Sequence, residues 1–442
     1  MNGSIYVLST AGSVLKKITF GEFKGNISPS LKIVNSQIFL FYYESGDEKG
    51  SCDLKCSTLD TATLELSPAK TVFQHLPAKY LIPEFSFNAP ERKLFIKGSP
   101  DQSKIGVIWN SGKDRELFFG VFDNQLNPAW FKHEVLGSAG TIDLREPYIT
   151  DQSVLLDDRS AVYLGCVLIV KKDVQRHLVV LREKEPALDH EIGSSDHRPF
   201  DIRIAASSKD LIQIVGTSTN SKERIVGAYF TGMSTADFNL QTWNETLLPD
   251  SLVKQFAVSS CGSVKPKNYG LDRFYTTLYR LDDGSLDLVG ECRIYHEPED
   301  RISSYYGMAD MLNIRFPKNH EPIFNRLYKE AQPSSSGSAF FFAYPSEHDM
   351  MILYEDLESN LKTKMSDLAS SYSIFNYRFV LACAMIGPDG AIQRKKIADG
   401  HNLAGAYFFF SQSVFIPHSL VMIPMVKKQK DLYHMIKWAV IK

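Results

Sequence analysis

The chain has 442 residues, of which 49 are basic and 51 acidic, so its formal charge at pH 7 is -2. Because the two signs are spread evenly, no basic face is available to release counterions from a polyanion, and we expect no nucleic acid partner. No apolar run has the length needed to cross a bilayer, since even AYFFFSQSVFIP, from Ala406, is interrupted by Ser, Gln and Pro. Six cysteines are too few for a disulfide scaffold, so Cys166, Cys292 and Cys383, which lie in apolar runs, are predicted to be buried thiols.

Seven similar segments follow one another along the chain. In each segment an apolar run ends at a polar turn, a second apolar run follows, and a third strand-like run comes after the pair. The second runs are, in chain order, IFLFYYE from Ile38, KIGVIWN from Lys104, AVYLGCVLIV from Ala161, LIQIVGTS from Leu211, SLDLVGEC from Ser285, DMMILYED from Asp349 and SLVMIPMV from Ser419. Since β-branched and aromatic residues dominate these runs, each segment predicts one four-stranded antiparallel sheet. A succession of such sheets predicts an all-β fold, the seven-bladed β-propeller.

The blades are predicted at approximately residues 27–76, 82–136, 145–193, 197–248, 254–330, 337–400 and 403–442 of a single domain that spans 1–442. The last blade has only three strands of its own. SVLKKITF, from Ser13, resembles AIQRKKIA, the fourth strand of the preceding blade, so residues 1–20 are predicted to complete the last blade with an N-terminal strand. Such a closure leaves no seam from which blades can peel. One short helix is predicted in an insertion, in ESNLKTKMSDLASSYSIF from Glu358.

The turns between the first and second strands have residues suited to tight reversals. They carry Asn35-Ser36, Asp101-Gln102, Asp157-Asp158, Lys209-Asp210 and Asp283-Gly284. Side chains of Asn and Asp hydrogen-bond the backbone of such turns, and Gly supplies the unusual backbone angles that some of them need. Ser99-Pro100-Asp101 is therefore interpreted as part of a turn and not as a site.

Short motifs in the second and fifth segments have counterparts in other proteins. The second segment contains GSPDQSKIGVIW followed by FFGVFDNQLNPAW, and the fifth contains RLDDGSLDLVGECRIY, YYGMADMLNIRF and IFNRLYKEAQ. They resemble motifs of a group of uncharacterised, usually exported β-propeller proteins of Bacteroidetes, with Gln102 where that group has a turn glycine and Phe324 where it has tryptophan. The resemblance implies the propeller fold and an exported location, periplasmic or at the cell surface, if a leader was removed; otherwise we expect a cytoplasmic protein. It implies no activity.

Two carboxylates lie inside predicted strands of one blade, Glu291 in LVGECRIY and Asp310 in GMADMLNI. Burial can convert a carboxyl group into an acid catalyst, and glycan-cleaving enzymes use pairs of carboxylates. The alternative function is therefore a carbohydrate-active enzyme, a glycoside hydrolase or lyase, that uses carboxylates in the propeller channel. The other interpretation is that both are structural residues, hydrogen-bonded between blades or facing the axial channel.

A polar cluster lies between the third and fourth blades, in DHEIGSSDHR. Its histidines and carboxylates make His190, Asp196 and His197 weak candidates for metal ligands, but the Gly193-Ser194-Ser195 spacer fixes no geometry. We interpret the stretch as a solvated loop and expect no metal and no cofactor.

The longest connections between second and third strands belong to the fifth and sixth blades, at about residues 296–306 and 359–377. They are predicted to form one stretch of the rim, and aromatic residues with arginine are the types that anchor interfaces. The candidate partner-binding residues are Arg301, Tyr305, Tyr306, Tyr372, Phe375 and Tyr377. Tyr and Phe near strand ends also cap cores, which is the competing interpretation.

These observations predict a non-catalytic propeller scaffold that binds a protein or glycan partner through its loop-bearing face, in a bacterial envelope or secreted assembly. A rigid set of stacked sheets suits that role because it holds variable loops in fixed relative positions. The enzyme described above is the alternative. A third interpretation is a structural subunit of a larger complex.

Overall fold

Antiparallel strands make up most of this chain in the computed structural model. Contacts divide it into two compact units, each treated separately below: Met1–Gly193 with Ile202–Val215 and Thr231–Trp243, and Ser194–Asp201 with Gly216–Phe230 and Asn244–Lys442. No helix within the described ranges is long and apolar enough to span a membrane. The residues described are 2–8, 14–22, 30–35, 37–45, 47–48, 50–77, 94–110, 116–135, 141–143, 151–170, 173–193, 196–206, 209–258, 261–272, 274–296, 305–318, 321–329, 332–334, 341–346, 348–362, 364, 379–399, 406–408, 414–416, 420–427 and 430–437.

The first unit contains an N-terminal hairpin and three complete sheets. The hairpin consists of β1 (Asn2–Leu8) and β2 (Val14–Glu22). Sheet 1 consists of β3 (Ser30–Val34), β4 (Gln37–Ser45), β5 (Ser51–Leu59) and β6 (Lys70–Pro77). Sheet 2 consists of β7 (Leu94–Gly98), β8 (Lys104–Asn110), β9 (Glu116–Asp123) and β10 (Pro128–Val135). Sheet 3 consists of β11 (Thr141–Asp143), β12 (Val154–Leu156), β13 (Val162–Val170), β14 (Asp173–Leu181) and β15 (Leu188–Glu191).

The strands of sheet 4 carry residues of both units. They are β16 (Arg198–Pro199), β17 (Arg203–Ala206), β18 (Leu211–Thr219), β19 (Ile225–Ser234), β20 (Asn244–Leu247), β21 (Gly262–Ser263) and β22 (Gly270–Leu271). Helix α1 (Asp250–Val258) follows β20, although the sequence predicted only strands here and began the fifth blade within this helix. Two turns of helix give too short a repeat to stand out, and only Leu252, Val253 and Phe256 mark its buried face.

The second unit continues with three further sheets. Sheet 5 consists of β23 (Phe274–Arg280), β24 (Leu286–His296), β25 (Tyr305–Phe316), β26 (Ile323–Leu327) and β27 (Gln332–Ser334). Sheet 6 consists of β28 (Phe341–Ser346), β29 (Asp349–Leu357), β30 (Phe379–Ile386) and β31 (Ile392–Asp399). Sheet 7 consists of β32 (Ala406–Phe408), β33 (Val414–Ile416), β34 (Leu420–Lys427) and β35 (Lys430–Lys437). Helix α2 (Glu358–Lys362) begins at the predicted residue, and the later part of the predicted helix, 365–375, lies outside the described residues.

Sheets 1, 2 and 3 pack face to face in chain order in the first unit, and sheets 5 and 6 do so in the second. In sheet 2, Val107 and Trp109 point to a core shared with sheet 1, whereas Ile108 points to a core shared with sheet 3. A third core joins sheets 5 and 6, for example through Val289 and Ile352. A sheet that is buried on both faces explains why its strands read as apolar runs. Sequential antiparallel sheets packed in this way make the chain an all-β protein with the architecture of a β-propeller, as predicted.

The segment predicted to complete the last blade lies in β2. Its register runs antiparallel to β1, from Asn2 opposite Glu22 to Leu8 opposite Val14. In addition to this hairpin, the described ranges contain seven sheets of four to seven strands. The seven-blade count and the closure of the last blade by the N-terminal strand stay predictions.

The hairpin turns have the predicted chemistry. In the turn before β8, Asp101 Oδ1 accepts hydrogen bonds from Ser103 N at 3.0 Å and from Ser99 Oγ at 2.5 Å. Gln102 takes a left-handed backbone with φ of 59°, at the position where Gly284 has φ of 85° in the turn before β24. The sequence anomaly at Gln102 therefore corresponds to a strained residue in a turn that favours glycine.

Replacing Gln102 by glycine should raise the free energy of unfolding by about 0.5 to 1 kcal/mol, because glycine relieves the left-handed strain but loses more entropy on folding. The matched control is Gly284→Ala, which places a Cβ on the equivalent backbone and should lower stability by about 1 kcal/mol. Urea denaturation of both variants measures the two effects. A loss of stability in Gln102→Gly would contradict the assignment of strain.

Candidate functional site

A cleft of about 370 Å³ opens in the first unit beside the outer strand of sheet 2. Its walls come from β10, from the turn between β12 and β13, from the turn after β14 and from the loop after β19. The lining residues are Ala129, Trp130, Arg159, Ser160, Ala161, Arg182, Glu183, Lys184, Glu185 and Phe238. Three consecutive sheets thus contribute strand ends and turns to one concave surface.

Trp130 lies on β10, opposite Val121 of β9, just after a register shift in the pairing of these strands. Its ring packs in the core between sheets 2 and 3, and only 6% of the residue is exposed. The indole Nε1 is buried and has no hydrogen-bond partner among the residues that the structure describes. Buried indole N–H groups usually have a hydrogen-bond partner, so this N–H, on a residue that lines the cleft, is an exception.

Arg182 follows the last residue of β14 and is held from two sides. Its guanidinium carbon lies 4.6 Å from the ring centroid of Phe238, within cation–π distance, and its Nη1 forms an ion pair with Glu185. The side chain is 22% exposed. The Nε atom of Arg182 is buried and, within the described part of the chain, makes no hydrogen bond. A fixed guanidinium with an unused N–H is suited to recognise a planar acceptor group.

The turn that carries Arg159 is fixed by a buried carboxylate. Asp157 Oδ1 accepts hydrogen bonds from Arg159 N at 2.9 Å and Ala161 N at 2.7 Å, and Tyr163 donates to Asp157 Oδ2 at 3.0 Å. Burial raises the pKa of Asp157, although these hydrogen bonds act in the opposite direction. The Arg159 side chain, 54% exposed, donates to Thr235 O at 3.0 Å and forms an ion pair of 3.2 Å with Asp210.

Lys132 of β10 contacts the turn after β14. Its Nζ donates to Glu185 O at 2.7 Å and forms an ion pair of 2.9 Å with Glu134. The turn after β14 is therefore tied to sheet 2 through its backbone. The cleft combines three cationic side chains, two glutamates and two aromatic rings on anchored turns, which is a set of groups that can bind a small polar ligand with an acidic group.

None of the cleft residues was singled out from the sequence. The sequence pointed to connections between second and third strands, whereas the cleft uses turns that join first to second and third to fourth strands, at the other end of the strands. Trp130 closes the motif FFGVFDNQLNPAW, and the alternation of that strand marks it as inward-facing. No sequence signal shows that its Nε1 would lack a partner.

The predicted rim residues fall largely outside the described part of the chain. Tyr305 and Tyr306 lie in β25, opposite His296 and Tyr295, so they belong to a strand and not to the predicted connection. The predicted connection was too long because β24 continues to His296 and β25 already begins at Tyr305. Arg301, Tyr372, Phe375 and Tyr377 are outside the described residues. Binding at this rim stays a prediction.

Glu291 and Asp310 are brought close to two cationic side chains in sheet 5. Lys329 Nζ forms an ion pair with Glu291, Arg326 Nε lies 2.6 Å from Asp310 Oδ2, and Lys329 N donates to Asp310 Oδ1 at 3.3 Å. Glu291 pairs with Met311 and Cys292 with Ala309, so Asp310 is the extra residue of a β-bulge. Glu291 is 1% exposed and Asp310 0%.

This buried cluster has the chemistry of a structural ion-pair network. A general acid or base must reach the substrate proton within hydrogen-bond distance, and a side chain with no exposed surface that is already paired with a cation does not meet that requirement. A second buried pair in the same sheet, Asp287 with Arg315 at 2.8 and 2.9 Å, has the same character. Charges buried in this way require partners to offset their loss of hydration.

The candidate metal ligands His190 and His197 lie in a strand and beside a glutamate, respectively. His190 lies in β15, and His197 Nδ1 is 2.8 Å from Glu245 Oε2. The prediction of a solvated loop is wrong for Asp189, His190 and Glu191, because they lie in β15 and pair with β14 in the fourth strand of sheet 3. Across the described ranges, no group of three His, Cys, Asp or Glu side chains is arranged to hold a metal.

The cysteines are buried thiols, as predicted for Cys166, Cys292 and Cys383. Burial raises the pKa of Cys52 and Cys56, in each case to about 12. Because the thiolate is the reactive form, such thiols are inert at neutral pH.

No family model matches the sequence, and no curated protein matches it at a significant level. Solved structures show distant similarities. The polysaccharide lyase Uly1 shares 12% identity with a TM-score of 0.44, over 93% of this chain and 90% of that one. The β-propeller domain of the Trilobed protease from Pyrococcus furiosus shares 9% identity with a TM-score of 0.36, over 92% and 95% of the two chains. An α-L-arabinanase from Penicillium chrysogenum shares 9% identity with a TM-score of 0.37, over 81% and 97%. Similarities this distant assign no activity to the chain.

Proposed function

We propose that this protein is a non-catalytic β-propeller that binds a glycan in the cleft of its first unit. The observation that carries the proposal is a pair of buried N–H groups, Trp130 Nε1 and Arg182 Nε, which have no hydrogen-bond partner among the described residues and belong to residues that line an open cleft. Buried polar groups in folded proteins are usually satisfied, so donors without a partner at a concave surface are suited to receive one from a ligand.

The size of the cleft favours a glycan over a protein partner. A stable protein interface buries about 800 Å² on each partner, whereas ligand clefts have volumes of roughly 300 to 1,000 Å³. At about 370 Å³ the cleft has the dimensions of a small-ligand site. Its mixture of aromatic rings, guanidinium groups and carboxylates provides hydrogen-bond donors and acceptors for sugar hydroxyl groups beside apolar surface for a ring.

The alternative, a carbohydrate-active enzyme, finds support in one observation. Glu183 and Glu185 line the cleft and could supply a pair of carboxylates. Against it, Glu185 is 57% exposed on a turn and is paired with Arg182, while the carboxylates first considered for catalysis, Glu291 and Asp310, are buried and paired with Lys329 and Arg326. These contacts favour binding without cleavage.

A glycan array probed with the purified protein tests the proposal, with mass spectrometry of each bound glycan after prolonged incubation. We expect binding to a restricted set of glycans whose masses do not change. Absence of binding to every glycan would overturn the function. Appearance of shorter products would show that the alternative, an enzyme, is correct.

A further inference from the structure

We infer that the cleft binds an acidic glycan, through a sugar carboxylate that is received by Arg182, Trp130 and Arg159. This inference rests on the proposed function and adds the chemical class of the ligand. It depends on the donors, the charges and the fixed geometry of the cleft wall.

Two N–H groups of cleft residues could donate to a hydrogen-bond acceptor from a ligand, and the strongest acceptors are anionic oxygens. Arg182 Nε and Trp130 Nε1 are both N–H groups that are buried without a hydrogen-bond partner among the described residues. Hydrogen bonds from a guanidinium to a carboxylate are shorter and about twice as strong as those between neutral groups. A neutral hydroxyl group would satisfy these donors less well than a carboxylate oxygen.

The guanidinium of Arg182 is already positioned for such a contact. Phe238 lies against it, with 4.6 Å from its guanidinium carbon to the ring centroid, and Glu185 holds its Nη1. The edge that carries Nε therefore has a fixed direction before the ligand arrives. Little side-chain entropy is lost on binding when a group is held in this way, which favours affinity.

The charge of the cleft favours one negative charge on the ligand. Arg159, Arg182 and Lys184 supply three positive charges, while Glu183 and Glu185 supply two negative ones. A phosphate dianion would be repelled by both glutamates, whereas a sugar acid carries a single charge and has hydroxyl groups that can donate to carboxylates. The ligand that fits is a glycan segment with a carboxylate on one ring. A monoanionic sulfate ester is the nearest competitor.

The test uses isothermal titration calorimetry of the full chain with a panel of uronic acid oligosaccharides, each paired with its carboxyl-reduced neutral counterpart and with a sulfated neutral oligosaccharide. We expect at least one acidic member to bind about tenfold or more tightly than its reduced counterpart, as loss of a charged hydrogen bond predicts. Binding of that member should weaken with added salt.

Two variants locate the binding in the cleft. Trp130→Phe removes the N–H together with the pyrrole part of the indole and keeps one aromatic ring, so its melting temperature should fall because Trp130 packs in a core. In protein that is still folded, the Kd for the acidic oligosaccharide should rise about tenfold. Arg182→Gln should raise the Kd about 30-fold. Lys222→Gln, on an exposed turn that does not line the cleft, removes one positive charge as a matched control and should leave the Kd unchanged.

Equal affinity for acidic and reduced oligosaccharides, both weakened by Trp130→Phe, would overturn the carboxylate while leaving glycan binding intact. Preference for the sulfated sugar would also overturn it. Acid-dependent binding that neither Trp130→Phe nor Arg182→Gln weakens would overturn the assignment to this cleft. Failure of every oligosaccharide to bind here and on the array removes the proposed function as well.

Discussion

Replacing Lys329 by methionine should lower the free energy of unfolding by about 3 to 5 kcal/mol, because it leaves the carboxylate of Glu291 buried without its cation. Both side chains are almost fully buried, with exposures of 0% for Lys329 and 1% for Glu291, so water cannot replace the lost partner. Methionine has a similar length and adds no strain of its own. Urea denaturation, monitored by tryptophan fluorescence, measures the change in the free energy of unfolding.

The double variant Glu291→Gln with Lys329→Met separates the charge from the packing. Removing both charges should recover most of the lost stability, since a buried ion pair is often no more stable than neutral residues of similar volume. A single Lys329→Met variant as stable as the parent would show that the two side chains are not buried together. A double variant as unstable as the single one would show that packing, not charge, accounts for the loss.

Replacing Asp201 by alanine should lower the free energy of unfolding by about 3 kcal/mol or more, because it leaves several buried donors without an acceptor. Asp201 Oδ1 accepts hydrogen bonds from Thr217 N and Thr217 Oγ1, both at 2.8 Å, and Oδ2 accepts one from Thr276 Oγ1. Thr276 lies in sheet 5 and Thr217 in sheet 4, so the carboxylate joins neighbouring sheets of the second unit. Thermal and urea denaturation together measure the loss.

Asp201→Asn is the matched control, since it keeps one acceptor oxygen and the size of the side chain. It should lose clearly less stability than Asp201→Ala. Equal losses in the two variants would show that the hydrogen bonds to Thr217 and Thr276 contribute little. The backbone is closely packed here, because a Cβ added at Gly216 would lie 2.2 Å from Asp201 O.

The sequence predicted those parts of the fold that depend on local pattern. Alternation and turn residues located the hairpins, and Asp101 and Asp283 cap their turns as their residue type suggests. Helix α1 was missed because its buried apolar positions, Leu252 to Phe256, cover little more than one turn. A periodic pattern identifies an element only when it repeats over enough residues, and this helix is too short for that.

The candidate site depends on contacts between residues far apart in the chain. Trp130, Arg182 and Phe238 meet only because sheets 2, 3 and 4 bring their strand ends and turns together. In the same way, the sequence makes Glu291 a candidate catalyst, whereas the structure pairs it with Lys329, 38 residues away in sequence. Burial and ion pairing depend on how strands pack together. The periodicity of a single strand therefore does not show which residue will pair with a buried carboxylate.

The assignment of a binding cleft also predicts which conditions would interfere with it. The proposed contacts of Arg159 and Arg182 with a carboxylate would lie at a partly exposed surface, where salt screens charges over about 10 Å at 0.1 M. Binding assays at high ionic strength would therefore underestimate the preference for acidic sugars. Low-salt buffers at neutral pH, where a sugar carboxylate is ionised, show the preference most clearly.

A crystal structure of the protein with the acidic oligosaccharide that binds it most tightly tests the central claim most directly. We predict an intact sugar chain in the cleft, with one carboxylate within hydrogen-bond distance of Arg182 Nε and Trp130 Nε1. A sugar bound on another surface, or a cleaved sugar beside Glu183 and Glu185, would contradict it.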